Sequence, residues 1–154
     1  MSKLVILYHS EHHQNTRTLL QYIAANEELQ LIETTEATPR DIKEADIIGF
    51  ASGIYMGKHH ASIFEFINNL PTDLLAEKST FVLSTSGSNN AKYNQALLAL
   101  PKQKGTIHLG DFHCAGYDTY GVWKILGGIS KHHPNDVDKK NALNFIQQIK
   151  CMRK

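Results

Sequence analysis

Cysteine is scarce in this chain: Cys114 and Cys151 are its two cysteines among 154 residues, too few for a disulfide framework. Neither belongs to a Cys-x-x-Cys pair, so both thiols are expected to be reduced and to serve packing. Long apolar runs are missing as well, and none reaches membrane-spanning length. The stretch from Lys3 to Tyr8 is too short for the apolar region of a secretory leader and lacks a small-residue cleavage site, which leads to the expectation of a cytoplasmic protein. No sign of charge dominates: 16 Lys and Arg oppose 15 Asp and Glu, for a formal net charge of +1. With no basic stripe interleaved with aromatics, nucleic acid is not an expected partner, and partners must be read from sites. Repeats, low-complexity tracts and long charge runs are also lacking. What remains is a chain with 42% hydrophobic and 20% charged residues, the balance of a folded globular protein, expected to form one domain over residues 1–154.

Three short runs are apolar throughout rather than alternating: Leu4 to Tyr8, Ile47 to Ala51 and Phe81 to Ser84. That pattern belongs to parallel strands covered on both faces. Leu29 to Ile32 and Ile107 to Phe112 are more polar and suit the sheet edges. Between them, helical stripes run through Leu19–Ala24, Ile63–Leu70, Ala96–Leu100 and Ala142–Ile149. Pro39 to Ala45 can supply a short helix, Pro71 and Pro101 fall where helices should stop, and Asp136 suits the start of the last helix. Strand and helix thus alternate five times. This calls for an α/β fold with right-handed crossovers, and the leading arrangement is a five-stranded parallel sheet of order 2-1-3-4-5 with helices on both faces. Ligands of such sheets bind beyond the carboxyl ends of the strands, where strand order reverses.

The loops at that end carry the unusual chemistry. After the first strand comes His9-Ser-Glu-His-His-Gln-Asn-Thr16, where helix-start amides near Asn15 and Thr16, with the Ser10 and Thr16 hydroxyls and the His12 and His13 imidazoles, can receive a phosphate. After the third comes Ser52-Gly-Ile-Tyr-Met-Gly-Lys-His-His60: Gly53 and Gly57 let backbone pass close to a flat ligand, and Tyr55 either stacks on it or is an ordinary loop aromatic. After the fourth, Thr85-Ser-Gly-Ser-Asn-Asn90 can offer amides to ring carbonyl oxygens through Ser86, Gly87 and Ser88. A phosphate-bearing planar ligand satisfies all three. Nucleoside triphosphate is less suited, because Gly57-Lys58 is followed by His59 instead of a hydroxyl and no G-x-G-x-x-G follows a strand. Phospho-acceptor carboxylates are missing at the ends of the first and third strands, which carry Tyr8-His9 and Ala51-Ser52.

On these residues the chain resembles the flavodoxin family. Ser10, Asn15 and Thr16 are similar to the ends of its Ser/Thr-x-Thr-Gly-Asn-Thr phosphate loop, with one extra residue, histidines in place of hydroxyls and Gln14 where glycine is usual. If that position needs a positive φ, glutamine carries strain there. The segment Ala51 to Ile67 also resembles flavodoxin-like protoporphyrinogen oxidases, whose Ala-Ser-Ile-x-Tyr-Gly precedes a histidine and an amphipathic helix. The resemblance implies FMN as cofactor, held by Ser10, His12, His13, Asn15, Thr16, Ser52, Gly53, Ile54, Tyr55, Gly57, Lys58, Ser86, Gly87 and Ser88. It implies electron transfer between a reductase and an acceptor protein, with an FMN-dependent oxidoreductase acting on a quinone or porphyrinogen-like substrate as the alternative.

Cations at Lys58, His59 and His60 beside the ring would raise the potential of its last reduction, a unit charge a few ångströms away being worth roughly 1–4 kcal/mol; alternatively Lys58 points to solvent. The histidine pairs His12-His13, His59-His60 and His132-His133 are poor metal ligands, since adjacent side chains diverge, and no metal is expected from them. The aromatics Tyr117, Tyr120 and Trp123 follow no clean period; they either pack over the sheet edge or form a lid or docking surface.

Overall fold

Apolar runs and amphipathic stripes assemble as the pattern requires in the computed structural model, which describes residues 2–11, 13–119 and 122–153, with the backbone alone for Val122 and Trp123. The strands are β1 (Leu4–His9), β2 (Gln30–Glu33), β3 (Ile47–Tyr55), β4 (Lys58–His59), β5 (Ser79–Ser86) and β6 (Ile107–Ala115). Five of them form a parallel sheet of order β2-β1-β3-β5-β6. That is the anticipated order 2-1-3-4-5, with the two-residue β4 set apart as an antiparallel addition to the end of β3. The polar strands β2 and β6 are the edges, where one row of backbone groups faces no neighbour and burial is incomplete.

The helices are α1 (Asn15–Asn26), α2 (Pro39–Lys43), α3 (Ala61–Asn69), α4 (Thr72–Leu75), α5 (Lys92–Gln103), α6 (Val122–Ile125) and α7 (Asp136–Met152). Because side chains alternate along a strand, a wholly apolar strand needs a cover on each face. In β1, Leu4, Ile6 and Tyr8 pack with Leu19, Leu20 and Ile23 of α1 and Ala142, Ile146 and Ile149 of α7. Val5 and Leu7 point the other way, to Ile42 of α2, Ile63 and Ile67 of α3, Leu75 of α4 and Leu97 of α5. Each such Leu or Ile withdrawn from water contributes roughly 1.5–3 kcal/mol, so leaving either face uncovered is untenable. On the first face Lys150 of α7 reaches Glu27 at the end of α1 (2.8 Å), and hydrogen bonds from Lys150 and Gln147 hold the Glu27 carboxyl below the usual carboxylate range.

Helix ends follow their residues. Pro39 opens α2, where Thr38 and Asp41 form a capping box, and Asn135 with Asp138 forms another ahead of α7. Pro71 closes the region after α3, as anticipated. Pro101 does not stop its helix: α5 continues to Gln103, and Pro101 is buried in the last turn. The cysteines also divide. Cys114 is buried, and burial, with the nearby Asp138 carboxylate, pushes its thiol up to about 12, whereas Cys151 is exposed on α7 rather than packed. No helix among the described residues is long and apolar enough to cross a membrane.

Candidate functional site

Parallel pairing of β1 with β3 and of β3 with β5 aligns their carboxyl ends, so the loops that follow them open on one side of the sheet. They enclose a cavity of about 290 Å³. Glu11, Asn15 and Thr16 line it from the first loop; Gly53 to Gly57 from the end of β3; Thr85 to Ser88 from the end of β5. Tyr93 of α5 and Tyr117 with Asp118 after β6 complete the wall.

At the start of α1, His13 and Gln14 both adopt left-handed backbone (φ 55 and 54), so glutamine does carry the strain that glycine would avoid. The turn brings the Ser10 hydroxyl to accept from the Arg17 amide (3.1 Å), and the helix ladder begins with Thr18 N–H donating to Gln14 C=O. Amides at Asn15 and Thr16 therefore precede the ladder and have no partner within the helix. Asn15 does not cap. Its side-chain amide donates to the Tyr117 carbonyl (2.8 Å), tying the segment after β6 over the cavity. The Thr16 hydroxyl lies 2.9 Å from that of Thr85, joining α1 to β5 in the cavity floor.

The second loop is a hairpin rather than an irregular strand end. Tyr55 pairs with Lys58 and Ile54 with His59, leaving Met56 and Gly57 as a two-residue turn with φ of 51 and 78. That is the primed turn matching the twist of a hairpin, and it needs positive φ at both positions. It presents the Tyr55 ring to the cavity and the Lys58 side chain to solvent. The Glu11 amide donates to the Tyr55 phenol oxygen (3.0 Å); burial raises the phenol's pKa, so it stays protonated at neutral pH.

Below the hairpin lies a buried polar chain. Asn94 of α5 spends its amide nitrogen on the Phe112 carbonyl (3.1 Å), so its Oδ1 accepts from His59 Nε2–H (2.7 Å), and His59 Nδ1 lies 2.8 Å from the Ser52 hydroxyl. Burial holds the His59 imidazole down to about 4, opposed only in part by the Asn94 bond. His59 is thus a neutral strut of the core, not a cation beside a ligand. The His60 pKa is lowered too, by burial and then by nearby His9, with Glu11 acting in the opposite sense.

Of the residues picked from the sequence, Asn15, Thr16, Gly53, Ile54, Tyr55, Gly57, Ser86, Gly87 and Ser88 meet at the cavity. Four do not line it. Ser10 serves the Arg17 amide, His13 lies against Tyr117 and the Thr119 hydroxyl (3.0 Å), Ser52 is sealed beneath the hairpin, and Lys58 is carried outward by the turn. His12 and Tyr120, and the side chain of Trp123, lie outside the described residues. Tyr117 walls the cavity rather than packing over the sheet edge. Sequence reasoning missed Glu11, Met56, Thr85, Tyr93 and Asp118. Thr85 could have been found, as the first residue of the run Thr85-Ser-Gly-Ser already singled out after the fourth apolar run; Asp118 sits in a segment without periodicity and offers no such signal.

A family model describing a flavodoxin domain matches residues 5–123. The chain belongs to the flavodoxin family. An uncharacterised protein of Methanocaldococcus jannaschii is 40% identical to it over 149 residues, covering 96% of this chain and 97% of that protein. Among solved structures, the flavodoxin, WrbA-like protein from Agrobacterium tumefaciens superposes with a TM-score of 0.72 at 19% identity, covering 99% of this chain and 98% of that one. Rubredoxin oxygen:oxidoreductase from Desulfovibrio gigas gives a TM-score of 0.75 at 13% identity, over 99% of this chain and 36% of that one. These two likenesses concern the fold. Membership of the family implies a flavin cofactor, and the residues present fit one: the Ser86 hydroxyl, buried without a hydrogen-bond partner, belongs to a cavity that also offers aromatic walls and helix-start amides.

Proposed function

We propose that the cavity holds FMN and that the protein carries electrons between redox partner proteins. The observation that supports this most directly is the convergence of three loops, distant in the chain, on one cavity at the switch point of the sheet. The amides of Asn15 and Thr16 would receive the phosphate, the Tyr55 ring would cover the isoalloxazine, and Ser86, Gly87 and Ser88 would meet its polar edge. When bound, FMN supplies one- and two-electron redox chemistry. The residues of the chain bind it, orient it and limit water at its faces; the protonated Tyr55 phenol adds no negative charge there. Met56 supports a carrier: it lines the cavity yet is 86% exposed, an apolar surface at the mouth suited to a protein partner.

Titration of flavin-free protein with FMN tests the reading. Flavin fluorescence should be quenched to saturation at one equivalent, and Tyr55→Ala should weaken binding roughly tenfold, the order of one aromatic stacking contact. No saturable quenching overturns it. Given bound FMN, catalytic reduction of a quinone by a supplied two-electron donor, or oxidation of a porphyrinogen with a quinone as electron acceptor, in the absence of any partner protein would assign the oxidoreductase role in place of the carrier.

A further inference from the structure

We propose that His9, Glu11 and His60 form a binding site for a divalent transition-metal ion of the zinc class. His9 ends β1, Glu11 follows two residues later, and His60 precedes α3, so the parallel pairing of β1 with β3 and the return of the hairpin bring the three together. One ligand atom from each lies within 4.8 Å of the others. A tetrahedral ion with bonds near 2.1 Å holds neighbouring ligand atoms roughly 3.4 Å apart, so the set needs only a modest contraction. Glu11, half exposed, can supply part of it, and a turn of an imidazole ring must supply the rest.

A further observation points to a ligand. His9 Nε2 is sealed from solvent and 3.0 Å from Glu11 Oε1, yet it makes no aligned hydrogen bond, an orphaned donor atom facing the cluster. The His9 and His60 rings stack face to face with centroids 3.5 Å apart and planes 10° from parallel, so they are neighbours, and one ring must turn for both in-plane lone pairs to meet a shared ion. His60 Nδ1 accepts from the Ser62 amide (3.2 Å) and lies 2.9 Å from the Ser62 hydroxyl, so Nε2 is the atom left to coordinate. Coordination through Nε2 requires the imidazole proton to move to Nδ1, which then gives up the Ser62 amide and donates to Ser62 Oγ, itself 2.7 Å from Thr34 Oγ1. Such an outer partner fixes the ring of a metal-bound histidine.

Two imidazoles and a carboxylate favour zinc-class ions over calcium or magnesium, which take oxygen ligands. Three protein ligands leave a fourth position open to water or a small molecule. Glu11 also lines the cofactor cavity and its amide holds Tyr55, so the ion would lie behind that wall.

The site is tested on flavin-free protein, independently of FMN binding. Titration with Co²⁺ at neutral pH should give visible d–d absorption saturating at one equivalent and abolished by Zn²⁺. His9→Gln and Glu11→Gln should each weaken Co²⁺ binding at least tenfold, while His132→Gln, on the surface, should not. Circular dichroism melts establish that each variant is folded; Glu11→Gln, at an exposed position, is the variant least able to disturb the fold. No d–d absorption, or absorption that survives substitution in either folded variant, overturns the assignment.

Discussion

His59 shows how one buried side chain couples hydrogen bonding to pH. Its folded pKa of about 4 lies below the ordinary 6.5, so below about pH 6.5 the unfolded chain binds a proton that the native state refuses. Stability from this group is therefore complete above pH 6.5, falls as pH drops toward 4 and levels off below that. The difference is on the order of 3 kcal/mol. An NMR titration should show an imidazole whose shifts stay constant down to about pH 5, and urea midpoints should fall across the same window. Titration of His59 near 6.5 would mean that the Ser52–His59–Asn94 chain does not form.

Elements are positioned by contacts as local as a single methyl group. In the middle of β3, a Cβ at Gly49 would sit 2.3 Å from the Phe81 ring of β5, itself fully buried. Glycine at this place lets a large ring on one strand fill the space above its neighbour, which explains why an otherwise apolar run is interrupted. Gly49→Ala should destabilise the fold by about 1–3 kcal/mol through overpacking, measured by chemical denaturation. A neutral result would show that Phe81 repacks freely. The hairpin obeys a different constraint: Gly57, at φ 78, makes a primed turn possible, and Met56 accepts a left-handed conformation so that Tyr55 faces the cavity.

The molecule as a whole joins two apolar layers across one sheet, and its binding end is held by loops rather than by that core. A ligand bridging the loops must then add to global stability. FMN at a hundred times its Kd should contribute about 2.7 kcal/mol. For a chain of this size that is roughly 5–10 °C in Tm. Riboflavin, lacking the phosphate, should give a smaller shift at equal concentration. Melts followed by circular dichroism check both; equal shifts would show that the amides at Asn15 and Thr16 take no part.

Strand runs, helical stripes and the switch point were legible in the chain because each depends on neighbours in sequence: Val5 and Leu7 on one face, Leu4 and Ile6 on the other, and loops that must follow the strands. The same logic expected Asn15, Tyr55 and Gly87 at one end of the sheet, and all three line the cavity there. It could not find the hairpin, since methionine gives no sign that it will accept positive φ, and so it left Lys58 undecided between ring and solvent and set buried His59 among the cations. Nor could it bring Tyr117 and Asp118 to the cavity or His9 to His60. Those meetings depend on sheet register and on long-range bonds such as Asn15 to Tyr117, 102 residues apart, so only the folded chain decides them.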